Sequence, residues 1–483
     1  MNDAPRRIIA GPFNRVEGDL EIRLDIEDGK VVAAEANSPL FRGFERILEG
    51  KDPRDAMTVV PRICGICSIS QSVAAARALA AASGVSAPRN GELASAVIHA
   101  AENIADHLTH FHVFFMADFA RPIYEGRAWH AETVRLFKAE RGEAVRSAMR
   151  ARAELFHIMG LLAGKWPHTL SIQPGGTTRA PDARDRIRLI AIVRRFRQWL
   201  EEHLFGDSLE TVAALASAGD LEAWQKAGEK GFLGLFLTIA DDLGLADLGK
   251  GPARFLSFGA YPLDGGHLLG PGAVEDGRRQ ELDTARIAED LSHSWMLGET
   301  LHPSRGKTVP DEDMASGYSW CKAPRLSGRT MEVGALARQV VDGRPLASDL
   351  LTAGRGNVRA RVVARLVEIA LTTLALEGWI RAMAPGEPFI ARMHLPDTAE
   401  AEGLTEAARG SLGHWLRIEK GRIGSYQIIA PTTWNFSPRD VRGAPGPVEE
   451  ALAGAPVLPG EITPVSVQHI VRSFDPCMVC TVH

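Results

Sequence analysis

Four of the five cysteines in this 483-residue chain fall into two CxxC pairs, Cys64-Gly65-Ile66-Cys67 and Cys477-Met478-Val479-Cys480, the second ending three residues before the C-terminus. Each pair can present two sulfurs to one centre, and thiolate is a soft ligand suited to zinc, iron–sulfur clusters and other late transition metals. Spacing alone leaves three readings open. A structural zinc site usually places its pairs only about 15 to 20 residues apart. A thioredoxin-like redox pair explains one CxxC but not two. A four-cysteine iron–sulfur cluster is compatible with both pairs. A site shared by all four thiols requires one domain folded back on itself, so that its two ends meet. His107, His110 and His112 are also spaced as metal ligands can be, but they sit on or near a helix and are read as structural.

The positioning elements are partly visible in the sequence. Leu20, Ile22, Leu24 and Ile26 alternate with charged residues and lead through Asp28-Gly29 into Lys30-Val31-Val32-Ala33, a hairpin signal. Val97, Ala101, Ile104, Leu108, Phe111 and Phe115 recur at steps of four and three, the stripe of an amphipathic helix. Similar patterns run through Arg135 to Leu162, Ala183 to Leu204 and Asn357 to Met383. Gln173-Pro174-Gly175-Gly176 and the Gly251 to Gly272 segment read as ordered loops. A second hairpin is expected over Trp415 to Ile429, broken at Lys420-Gly421, with Pro431-Thr432-Thr433-Trp434-Asn435 directly after it. There is no internal repeat. The expected fold is α+β and predominantly helical: one large domain over residues 1–483, with a central helical bundle and peripheral β-sheets.

Composition narrows the partners. A chain that is 45% hydrophobic and 24% charged, with a net charge of −5, is an ordinary globular protein, with no electrostatic reason to expect nucleic acid or anionic membrane. No apolar run approaches the roughly 20 residues of a membrane span, and the N-terminal stretch lacks a secretory apolar region. Five cysteines do not make a secreted disulfide scaffold, so a reducing, cytoplasmic location is expected. The alternative is a membrane-associated or periplasmic site reached through an exported partner.

The surroundings of the cysteines discriminate further. Arg62-Ile63-Cys64-Gly65-Ile66-Cys67 and Ser473-Phe474-Asp475-Pro476-Cys477-Met478-Val479-Cys480-Thr481-Val482-His483 resemble the two signatures of the large subunit of nickel-iron hydrogenases. The resemblance runs along nearly the whole chain. It includes Arg15-Val16-Glu17-Gly18, Phe41-Arg42-Gly43-Phe44-Glu45, Pro167-His168, Tyr318-Ser319-Trp320, Lys322-Ala323-Pro324-Arg325, Glu332-Val333-Gly334, Ala408-Arg409-Gly410 and Ser437-Pro438-Arg439-Asp440. It implies reversible heterolytic splitting of H2, with Cys64, Cys67, Cys477 and Cys480 on nickel. Cys67 and Cys480 would also bridge to an iron carrying cyanide and carbon monoxide. Glu17 would relay protons from the Cys477 sulfur, and Arg409 would hang over the open metal position, held by Asp118 and Asp475. Pro431 and Thr432 would line the cyanide pocket. Glu45, His483 and the Ile428 carbonyl would hold magnesium or a similar divalent cation. An iron–sulfur small subunit would carry the electrons away, and maturation proteins would insert the metals.

Some positions depart from the family pattern. Gln71 replaces the usual histidine beside the bridging sulfurs, exchanging a titratable donor for a neutral one. Asp19 also stands where histidine is usual, a change with no derived consequence. Ile66 and Phe114 occupy gas-channel positions where valine and leucine are common. The sequence stops at His483, whereas family precursors usually carry a cleaved tail. Together these features resemble the regulatory subgroup, which senses hydrogen at low turnover and signals to a histidine kinase. The alternative is an energy-conserving uptake hydrogenase. Quinone-handling relatives in respiratory complex I have lost the cysteines kept here. Cys321 reads as a small buried hydrophobe.

Overall fold

In the computed structural model, which describes residues 6–179 and 181–483, the first alternating segment forms the middle of a three-stranded antiparallel sheet. Glu21–Glu27 pairs with Arg6–Ala10 on one side and Lys30–Asn37 on the other, so that Ile22, Leu24 and Ile26 face the core. Asp28 and Gly29 both have positive φ (48° and 70°), as a two-residue hairpin turn requires. The same device recurs at Lys420 and Gly421 (51° and 70°), between Gly410–Glu419 and Arg422–Ile429. Pairing along the far edge of Gly410–Glu419 is a strand the periodicity did not reveal, Ala399–Ala407. Its small residues give little β signal. The two-residue link between these strands is Ala408-Arg409, so Arg409 is presented at a hairpin tip.

Helices occupy the centre, with the sheets around them. Arg89–Thr109 is buried along most of its length and packs against Val358–Ala382, whose start is capped by the Asn357 side chain accepting from the Ala360 N–H. The expected stripe to Phe115 holds to Thr109. The chain then widens into a π-turn over His110–Phe115 and tightens into a 3₁₀ turn over Met116–Ala120. The Arg135 to Leu162 pattern is three helices: His130–Phe137, Glu143–Leu155 and His157–Leu162. Glu140 breaks the pattern with a φ of 63°. The Gly251 to Gly272 segment contains the short strands Arg254–Ser257, Ala260–Leu263 and Gly266–Leu269, concealed in the sequence by their glycines and prolines. Among the described residues no helix is long and apolar enough to cross a membrane.

Two features bring the chain ends together. The Ser68–Ser83 helix begins immediately after Cys67 and carries Ala74, Ala75, Ala76 and Ala78, which let it lie close on Ala399–Ala407. A Cβ at Gly403 would fall 2.0 Å from the Ala74 carbonyl oxygen, so this approach depends on glycine. Buried ion pairs lock the frame around it: Arg338 donates to Glu368 at 2.6 Å and to Glu406 at 2.8 Å, and Arg361 grips Glu332 at 2.8 and 2.9 Å. Arg361 also lies over the Phe474 ring at 3.7 Å, and Arg365 donates to the Ser473 carbonyl at 2.5 Å, fixing the approach to the second cysteine pair.

Candidate metal centre

Each cysteine pair is held by backbone. Cys67 caps the Ser68–Ser83 helix, and Cys477 caps the short Met478–Thr481 helix. Glu17 forms a parallel bridge with Cys477, accepting from the Met478 N–H at 2.6 Å and donating to the Pro476 carbonyl at 3.4 Å. The Cys477 N–H donates to the Thr432 hydroxyl at 3.1 Å, and the Thr433 hydroxyl donates to the Thr481 carbonyl at 3.0 Å. These contacts draw the C-terminal segment into the core, where Cys64, Cys67, Cys477 and Cys480 are all buried and unpaired by disulfides.

The four sulfurs lie within 4.8 Å of one another. Cys64 is 3.5 Å from Cys477, Cys67 is 3.2 Å from Cys480, and Cys477 is 3.1 Å from Cys480. Sulfur–sulfur hydrogen bonds from Cys477, Cys480 and Cys67 hold the Cys64 thiol well below its usual range. The same kind of contact pushes Cys67 well up, while burial pushes Cys477 and Cys480 up. One thiolate thus suppresses ionisation of its neighbours, a mutual repulsion that a bound cation would offset.

A small cavity beside these sulfurs is lined by Cys67, Gln71, Arg409, Pro431, Thr432 and Cys480, among others. Burial pushes His414 down to about 3, so its ring is neutral. Its Nε2 lies 2.8 Å from the Gln71 Oε1 and its Nδ1 lies 2.8 Å from the Tyr426 hydroxyl. Because the Gln71 oxygen faces this ring donor, its amide NH2 is left without a partner among the described residues. Thr432 accepts from Cys477 and keeps its own hydroxyl proton free to donate. A buried cavity with an orphaned donor, a second hydroxyl donor and the three thiols of Cys67, Cys477 and Cys480 fits an iron carrying compact acceptor ligands.

Arg409 reaches this cavity from its hairpin tip. It donates to Asp106 at 2.5 Å, to the Asp475 carboxylate at 3.1 Å and to the Asp475 carbonyl at 2.9 Å. One buried guanidinium cannot fully offset two carboxylates. Burial pushes Asp106 up to about 7 against the pull of Arg409, whereas for Asp475 the pull of Arg409, His110 and Arg365 outweighs burial and holds it low. Asp475 adopts a left-handed φ of 56°, which aspartate tolerates, and this turns its backbone and side chain onto the same arginine.

The expectation for Asp118 is corrected. The π-turn and 3₁₀ turn after Thr109 carry Asp118 onto Arg15, Arg121 at 2.8 Å and Arg472 at 2.6 Å, and these cations hold its carboxyl low despite burial. Asp106 takes the place expected of it beside Arg409. Asp106 lies outside the family motifs, yet a carboxylate in the middle of an almost wholly buried helix demands a cation, which is the signal that marks it. The three histidines do not converge. His107 contacts Glu368, His110 the Arg472 carbonyl and His112 the Leu108 carbonyl. Cys321 is buried and donates to the Lys322 carbonyl at 3.1 Å, away from the four-sulfur group.

Glu45, Ile428 and His483 do meet. Glu45 accepts from the Ile428 N–H at 2.8 Å, and the His483 Nε2 lies 2.9 Å from the Ile428 carbonyl and 3.4 Å from Glu45. The other ring nitrogen of His483 lies 2.9 Å from the Cys480 carbonyl, tying this locus to the thiols. Lys322 and Glu289 complete it: Lys322 contacts Glu45 at 3.2 Å and Glu289 at 3.5 Å, and one Glu289 oxygen is buried without a partner. Two carboxylates and a carbonyl around a small cavity are oxygen ligands of the kind a hard cation takes, whereas the imidazole is not, and Lys322 already supplies one positive charge.

Glu17 is half-buried, and burial followed by the nearby Cys64 pushes its carboxyl up, as a reversible proton carrier needs. Ile66 is part-buried, and its N–H donates to the Cys64 sulfur at 3.3 Å; Phe114 is part-buried within the π-turn.

Comparison with known proteins agrees with this geometry. The nickel-dependent hydrogenase family matches residues 42–141 and 146–483. The large subunit of the periplasmic [NiFeSe] hydrogenase of Desulfomicrobium baculatum is 32% identical, over all of this chain and 95% of that protein. The hydrogenase-2 large chain of Escherichia coli K12 is 27% identical, over 99% of this chain and 97% of its own. The structure of the Ni-Fe-Se hydrogenase from D. vulgaris Hildenborough in the reduced state superposes with a TM-score of 0.86 at 30% identity, covering 99% of this chain and all of that one. In the present chain all four positions of the two CxxC pairs are cysteine. With four buried sulfurs in mutual contact and similarity along its whole length, the chain belongs to the nickel-dependent hydrogenases, as a large subunit of that family.

Proposed function

We propose that the chain is the active-site subunit of a hydrogen-sensing nickel-iron hydrogenase, in which Cys64, Cys67, Cys477 and Cys480 would hold nickel and, through Cys67 and Cys480, an iron bearing cyanide and carbon monoxide. When bound, such a pair would supply heterolytic cleavage of H2 into a proton and a hydride equivalent, whose oxidation yields the second proton and two electrons. The chain's own residues manage the rest. The Cys477 sulfur, beside Glu17 on the adjoining strand, would take the first proton, and Glu17 would carry it outward. Arg409, fixed by Asp106 and Asp475, holds a positive charge over the cavity. Gln71 and Thr432 offer donors to the iron's cyanide ligands, and Pro431 shapes the wall. Glu45, the Ile428 carbonyl and His483 are assigned to a magnesium-like cation that anchors the C-terminus. Electrons leave to an iron–sulfur small subunit. Cytoplasmic assembly suits five unpaired thiols.

The sensing role is carried by Gln71. A histidine in its place can gain a proton, whereas the glutamine amide stays neutral and keeps a fixed donor toward the cavity. Ile66 and Phe114 are assigned to a narrowed gas path. The relatives named above are not described as sensors, so this subgroup reading rests on the chain's own residues. It is tested by turnover of the purified complex in H2, with and without oxygen, and by binding to a histidine kinase. Slow turnover that persists in oxygen, together with kinase binding, is expected. Gln71→His is expected to shift the infrared bands of the diatomic ligands. Fast, oxygen-sensitive turnover coupled to a respiratory acceptor, without kinase binding, would instead establish an uptake enzyme.

Glu17→Gln is expected to lower hydrogen–deuterium exchange by about 100-fold or more, within the usual range for loss of a general base, while nickel content stays at the wild-type level. Loss of nickel in this variant would sink the relay role.

A further inference from the structure

Among the described residues, one side chain hydrogen-bonds to both cysteine loops. The Arg42 Nη2 donates to the Ile63 carbonyl at 2.6 Å and also to the Val479 carbonyl. These carbonyls belong to the residues immediately before Cys64 and before Cys480, so one nitrogen joins segments from opposite ends of the chain. Apart from the sulfurs' own contacts, no other hydrogen bond among the described residues links these loops directly.

Arg42 is itself held in place. Its guanidinium lies 4.8 Å from the Phe44 ring centroid, and Phe41 on its other side stacks on Trp320 at 5.3 Å. Gly43, with a φ of 74°, then turns the chain so that Glu45, three residues after Arg42, meets Ile428 and His483. The segment therefore contacts both cysteine loops with one residue and the C-terminal anchor with another. Arg42 is an exposed residue and does not line the cavity beside the sulfurs.

We infer that Arg42 is a positioning residue, a clamp that fixes the separation of the Cys64 and Cys480 loops and so holds the metal centre in one geometry. The inference rests on the nickel–iron reading for the identity of the metals, but the clamp itself is a property of the two loops. An unclamped pair of loops exchanges its ligands more freely and lets the metal leave faster.

The test compares Arg42→Met, Arg42→Lys and the charge control Arg46→Gln in the assembled complex. Two quantities are read: metal release into a chelator and the infrared bands of the diatomic ligands. Arg42→Met is expected to release metal roughly tenfold faster, the lower end of what loss of a supporting contact costs a metal site, and to broaden and shift the bands. Arg42→Lys, whose single ammonium nitrogen can donate to both carbonyls, is expected to restore both readouts. Arg46→Gln is expected to match the wild type. If Arg42→Met does not accumulate, Arg42→Gln, whose NH2 sits on a stem too short to reach both carbonyls, replaces it with the same expectation. Wild-type release and bands in Arg42→Met or Arg42→Gln would overturn the clamp, and so would failure of lysine to rescue. If the wild type lacks nickel and diatomic bands, the hydrogenase reading fails separately, and faster release of whatever metal is bound in Arg42→Met still supports the clamp.

Discussion

Cys480→Ser is expected to leave the chain without a retained nickel–iron centre and to reduce H2 oxidation to background. Cys480 is buried, 3.2 Å from Cys67 and 3.1 Å from Cys477, and its carbonyl contacts His483. A serine hydroxyl is a hard and far less acidic ligand, so it cannot replace a thiolate that is to serve two soft metals. The change is small in volume and leaves the C-terminal contacts of His483, Thr433 and Thr432 in place, so the loss should appear in metal content without unfolding. Cys321→Ser is the matched control: that thiol donates to the Lys322 carbonyl, a bond serine can keep, and nickel content is expected to remain at the wild-type level. Metal analysis of both variants checks the prediction.

Arg409→Lys is expected to retain the metals and lose roughly 100-fold or more of the activity, the scale set by removing one preorganised electrostatic contact. Lysine keeps the charge but not the fork that grips Asp106, the Asp475 carboxylate and the Asp475 carbonyl together. Each of these aspartates already has one buried oxygen without a partner, so a displaced cation leaves the pair poorly compensated. A thermal or denaturant melt of Arg409→Met should show a larger effect, about 3–5 kcal/mol of lost stability, since that variant leaves buried carboxylates unpaired. Nickel content and hydrogen–deuterium exchange separate the two consequences. Wild-type exchange in Arg409→Lys would contradict a role over the open metal position.

The legible parts of the fold were those with strong local periodicity. The Glu21–Glu27 and Arg422–Ile429 hairpins are legible through alternation and Asp-Gly or Lys-Gly turns, and Val358–Ala382 through its helical pattern. Ala399–Ala407 was missed because small residues carry little strand signal, although its Gly403 is what admits the Ser68–Ser83 helix. The long pattern from Arg135 was divided by left-handed backbone at Glu140, which no periodicity reports.

At the site, the cysteines and the Glu45, Ile428 and His483 group were reached through motifs, whereas Asp118 was misplaced. A carboxylate's partner depends on where the chain turns after Thr109, and a π-turn alters the register by which a helix distributes its faces. Glu289 and Arg42 have no local signal, since their partners Lys322 and Val479 lie far away in sequence, whereas Asp106 is marked by its place in a buried helix although its partner Arg409 is equally distant.

The central claim is that the four buried thiols hold nickel together with an iron carrying cyanide and carbon monoxide. Metal analysis combined with infrared spectroscopy of the purified, assembled complex tests it most directly. About one nickel per chain is expected, accompanied by iron, with bands from both kinds of diatomic ligand. Fully assembled protein containing zinc or only iron–sulfur clusters, without nickel and without those bands, would contradict it.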